Sequence, residues 1–87
     1  MNPHERRRVD LLAALCGELE RRGLPSWVTP SYGTCFLRCV RLNPRRTILI
    51  ACVRGPGTTW LFVWSGGHAH ADDIPRAAAL VSAYFAS

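Results

Sequence analysis

The chain has 87 residues, 48% of them hydrophobic and 20% charged, which supplies enough apolar surface for one folded domain and argues against both a disordered chain and two domains. No apolar run approaches the roughly 18 to 20 residues of a membrane span, and the opening Met-Asn-Pro-His-Glu-Arg-Arg-Arg has no hydrophobic signal segment behind it, so a cytoplasmic protein is expected. The net charge of +5 comes from eleven arginines and no lysine. Codon usage in a G+C-rich genome produces this bias, and so does selection for a planar fork that recognises phosphate or carboxylate.

Asn2 is a good helix N-cap, Pro3 is pre-set for the first helical position, and Glu5 stands where a capping-box acid would reach back to the Asn2 amide. Val9, Leu12, Leu15, Cys16 and Leu19 then recur at helical spacing, opposite Asp10, Glu18 and Arg21. The helix should stop at Gly23, with Leu24 folding back and Pro25 barring continuation.

The period then changes. Trp27 and Val28 suggest a short strand, and Thr29-Pro30-Ser31-Tyr32-Gly33 reads as a turn or loop. Cys35 to Leu42, Thr47 to Arg54 and Thr59 to Ser65 are rich in β-branched, aromatic and aliphatic residues and are separated by short turn sequences, which predicts an antiparallel meander. Ser65-Gly66-Gly67 opens a polar loop, after which Asp72 or Asp73 caps a second helix with Pro75 in its first turn. Ile74, Ala77, Ala78, Val81, Tyr84 and Phe85 form its apolar stripe. The expectation is a single α+β domain over residues 1–87 in two layers, helix, three or four strands, helix, with both helices on one face of the sheet.

If Leu42 pairs near Thr47 and Arg54 near Thr58, alternation puts Cys35, Leu37, Cys39, Ile48, Ile50, Cys52, Trp60, Phe62 and Trp64 on one face. The other face carries Phe36, Arg38, Val40, Leu42, Thr47, Leu49, Ala51, Val53, Thr59, Leu61 and Val63. Two helices cover only one face, and the face without a central charge is the better core. A domain of this size hides only about 60% of the surface its unfolded chain exposes, so a partner often completes the burial. Phe36, Arg38, Val40, Leu49, Leu61 and Val63 are therefore the candidate contacts of a homodimer or of a protein partner.

Chemistry-bearing residues do not converge. His68, His70, Asp72 and Asp73 form a polar cluster, but chance explains the histidines and helix capping the aspartates, so no metal or cofactor is expected. Cys35 and Cys39 on one strand stand about 13 Å apart and cannot share a metal or a disulfide. Buried, reduced thiols are expected of these and of Cys16 and Cys52. Ser26, Ser31, Ser65, Ser82 and Ser87 lack motif context, and no phosphate-binding or dinucleotide fingerprint is present, which argues against an enzyme. Arg41, Arg45, Arg46 and Arg54 near the hairpins offer the alternative of an arginine-dependent nucleic-acid surface. The helix, strands, helix order is similar to that of double-stranded-RNA-binding domains, but their basic motif at the second helix is replaced here by Asp72 and Asp73.

Leu19-Glu20-Arg21-Arg22-Gly23-Leu24, Leu37-Arg38-Cys39-Val40, Cys52 before a turn, Trp60-Leu61-Phe62-Val63-Trp64-Ser65-Gly66 and Ala71-Asp72-Asp73 together give the chain a family likeness. It resembles small actinobacterial single-domain proteins that look like the accessory proteins found with helix-turn-helix regulators. Leu61 and Val63 stand where that pattern commonly has tryptophans, and His68 and His70 lie in its variable loop. The resemblance implies a stand-alone regulatory or adaptor protein and brings no catalytic residue with it.

Overall fold

The computed structural model describes residues 2–86; Met1 and Ser87, the ends of the expected domain, lie outside the described residues. The elements are α1 (Pro3–Arg21), β1 (Ser26–Ser31), β2 (Thr34–Leu42), β3 (Arg45–Arg54), β4 (Trp60–Trp64), β5 (Gly67–His70) and α2 (Ile74–Ala86). The five strands form one antiparallel meander in the order β1-β2-β3-β4-β5. This is the expected α+β fold, with a longer sheet than the three or four strands read from the sequence.

Both ends of α1 follow from local chemistry. Asn2 accepts a 2.8 Å hydrogen bond from the Glu5 amide. Glu5 does not complete the capping box: its carboxylate takes the Arg8 guanidinium and the Thr34 hydroxyl instead, because a charged partner outbids an already solvated amide. At the other end Gly23, at φ +82°, lets its amide reach the Glu20 carbonyl and the Leu24 amide reach that of Leu19, each at 3.0 Å. Asp73 caps α2 by accepting from the Arg76 amide at 3.1 Å.

Leu11, Leu12, Leu15 and Leu19 of α1 and Ala77, Ala78, Val81 and Phe85 of α2 share one buried cluster with Leu37, Cys39, Ile50, Cys52 and Phe62 of the sheet. The helices therefore cover the same sheet face and also touch each other. The small side chains of α2 permit its close approach. Cross-strand register keeps the cluster in line, with Leu37 opposite Ile50 and Cys52 opposite Phe62.

Two segments differ from expectation. Thr29, Pro30 and Ser31 extend β1, so the turn contracts to Tyr32 and Gly33, at φ 47° and 79°. Two consecutive positive φ values make the kind of tight turn that matches strand twist, and Pro30 is tolerated because β1 is an edge strand with no ladder to feed on its outer side. Residues 67–70 form β5 rather than a loop: His68 and His70 point out while Ala69 packs inward opposite Phe62. Four residues without a β-branched side chain carry little strand signal, yet the His-Ala-His-Ala alternation has the strand period.

Candidate functional site on the open sheet face

The face of the sheet turned away from the helices is assembled in cross-strand rows. Trp27, Arg38 and Leu49 stand in line on β1, β2 and β3. Thr29 faces Phe36, Ala51 faces Val63, and Val63 faces His68; Val53, Leu61 and His70 form a further row. Trp27 is 45% exposed, Leu49 51%, Val53 39% and Val63 38%. Phe36, Ala51 and Leu61 are half-buried. Val40, one of the expected contacts, is only 3% exposed and contributes structure more than surface.

Arg38 is the one charged residue in the middle of this surface. Its neighbours are Trp27 and Leu49 across the ladder and Phe36 and Val40 along its own strand. Among the described residues its guanidinium has no ion pair, hydrogen bond or aromatic stacking partner.

The arginines singled out as a nucleic-acid surface do not form one patch. Arg41 and Arg46 lie on the helix side at the end of α2: Arg41 donates to the Phe85 carbonyl and to that of Pro44, and Arg46 stacks 5.2 Å from the Tyr84 ring centre. Cations at a helix C-terminus suit its partial negative charge. Arg45 is exposed beside them. Arg54 lies nine residues further along β3, about 30 Å away, where it donates to the Gly57 carbonyl and stacks on Trp60. Sequence proximity to hairpins does not distinguish the two ends of a long hairpin.

His68 and His70 occupy the same face of the edge strand β5, and Asp73 is engaged in capping α2. Among the described residues no group of three His, Cys, Asp or Glu side chains could hold a metal ion. A cleft of about 350 Å³ beside Trp60 is lined by Arg7, Thr58, Thr59, His70 and Asp72 among others. The four cysteines are free thiols. Burial pushes Cys52 up from its ordinary 9.0 to about 11, against the pull of Arg8. Cys16 also rises to about 11, through burial and then its hydrogen bond to Glu20. Burial raises Cys35 and Cys39 as well.

Thiols held in this way are poor nucleophiles at neutral pH. Iodoacetamide at pH 8 is expected to modify the folded chain slowly and all four cysteines rapidly in denaturant, as intact-mass measurement will show. The raised folded values also fix a sign. Their contribution to stability is complete below about pH 9, where both folded and unfolded thiols hold their protons, and is lost as pH climbs toward 11. The urea midpoint should fall over that window, and Cys52→Ala should make the fall shallower.

No protein-family model, curated protein or solved structure matches the chain. Among the described residues no helix is long and apolar enough to cross a membrane.

Proposed function

We propose that this chain is a non-enzymatic interaction module, regulatory or adaptor in character, that self-associates as a homodimer through its open sheet face. The observation that carries the reading is the row-by-row exposure of Trp27, Leu49, Val53 and Val63 on the face opposite the two helices. Five strands at about 4.8 Å spacing and roughly 21 Å of usable strand length give a face of roughly 500 Å², or roughly 1,000 Å² for two copies. That meets the size of about 1,000 Å² at which a specific interface becomes credible. At about 25 cal/mol per Å² of apolar area the gain exceeds the lower estimates for the entropy of association, so a reversible pair is the expected outcome.

The test is the molar mass in solution against concentration, by sedimentation or light scattering. The native chain is expected to dimerise, and Leu49→Arg or Leu61→Arg to remain folded and monomeric. A dimer indifferent to both charges would place the contact elsewhere and refute the reading. The regulatory or adaptor character draws in addition on the resemblance described above.

A further inference from the structure

We infer that the open face exchanges its twin for a second kind of chain, an amphipathic segment whose apolar side chains surround a carboxylate, and that Arg38 selects it. The inference rests on the open face being a docking surface, as proposed above, and it names what the surface prefers.

The argument is one of charge complementarity. Arg38 sits between Trp27 and Leu49 near the middle of the face and has no counter-ion among the described residues. The chain has six acidic residues, and none of them lies on this face. Glu5 holds Arg8, Glu18 holds Arg21, Glu20 takes the Cys16 thiol, and Asp73 caps α2. Asp10 is on α1, and Asp72 is in the turn before α2. A second copy laid face to face offers the same surface in return, with two more histidines and no carboxylate. Each copy of a twin would therefore desolvate a guanidinium without an anion to receive it, and an unpaired buried charge is among the more costly features of an interface.

A partner with a carboxylate at that point reverses the balance. Arginine presents a rigid fork that two carboxylate oxygens fit, and the bond is strengthened when apolar neighbours exclude water. Trp27, Phe36 and Leu49 supply those neighbours. Self-association then keeps the apolar face covered while no partner is present, and the acidic segment displaces it.

Two measurements test this. Removing the charge with Arg38→Met should tighten the homodimer, lowering its dissociation constant at least tenfold by sedimentation. Random 16-residue peptides displayed on phage and selected on the native chain should converge on apolar sequences carrying Asp or Glu. A selected peptide, synthesised, should convert the dimer to a one-to-one complex, bind Arg38→Met at least tenfold more weakly, and fail to bind Leu49→Arg. Leu61→Arg replaces Leu49→Arg if the latter fails to fold. Acid-free selected peptides, acidic peptides indifferent to Arg38→Met, a library with no binder sensitive to the face, a native chain that stays monomeric, or an Arg38→Met dimer no tighter than native would each overturn the inference. Dimerisation and peptide binding that both survive Leu49→Arg would instead sink the open-face reading itself.

Discussion

Phe62→Ala is expected to remove about 3 to 5 kcal/mol of folding stability. Phe62 is fully buried and is among the largest side chains in the core, lying on β4 between Cys52 of β3 and Ala69 of β5. Its cavity cannot be refilled cheaply, because the cross-strand neighbours are small and are pinned by ladder hydrogen bonds. A domain of this size has about 5 to 10 kcal/mol in hand, so the variant should melt roughly 15 to 30 °C lower, followed by circular dichroism at a fixed protein concentration. Val63→Ala, one residue along and on the open face, should cost under about 1 kcal/mol. Equal losses at the two positions would contradict the assignment of covered and open faces.

The second large effect is expected from a single methyl group. A Cβ built on Gly66, in the two-residue turn between β4 and β5, would lie 2.1 Å from two ring carbons of Tyr84. The ring is not free to retreat: it packs against the core, meets the Ser65 hydroxyl at 3.4 Å and carries the Arg46 guanidinium. Gly66→Ala should therefore destabilise by about 1 to 3 kcal/mol, the range for overpacking a filled site. Combining it with Tyr84→Ala gives the diagnostic result. The double variant should be much less unstable than the sum of the two, since the clash has been removed with the ring. Additive losses would show that the turn itself, and not the contact, requires glycine.

Much of this architecture was readable from residues alone, for reasons visible in particular elements. The helix ends were legible because capping is local: Asn2, Gly23 and Asp73 act within a few residues of themselves. The two faces of the sheet were also legible, although the expected register was not the observed one. Leu42 pairs with Arg45 rather than near Thr47, and Arg54 with Trp60 rather than near Thr58. Each difference amounts to two residues, and a shift of two leaves every side chain on its own face.

Other features depend on contacts between distant parts of the chain and had no local signal. Glu5 leaves its cap for Arg8 and Thr34, a choice made only when β2 arrives beside α1. Arg41 and Arg46 look like free surface charges until α2 ends next to them. The central position of Arg38 on the candidate site was legible from alternation, whereas the absence of a counter-ion became evident only when every acid had a place. Strand β5 was missed because its pairing partner β4, and not its composition, makes it a strand.

The meander has a consequence for how the chain reaches this state. Every strand pairs with its immediate chain neighbour, and three of the four connections are two residues long, so each hairpin closes over a short loop at small entropic cost. The exception is the packing of α1 on α2, which joins opposite ends of the sequence and is reinforced by Arg22 donating to the Pro75 carbonyl at 3.3 Å. The sheet can thus assemble by successive local zipping, while docking of the terminal helices is the single step that pays for closing the whole chain. Folding speed should accordingly be set by that final closure.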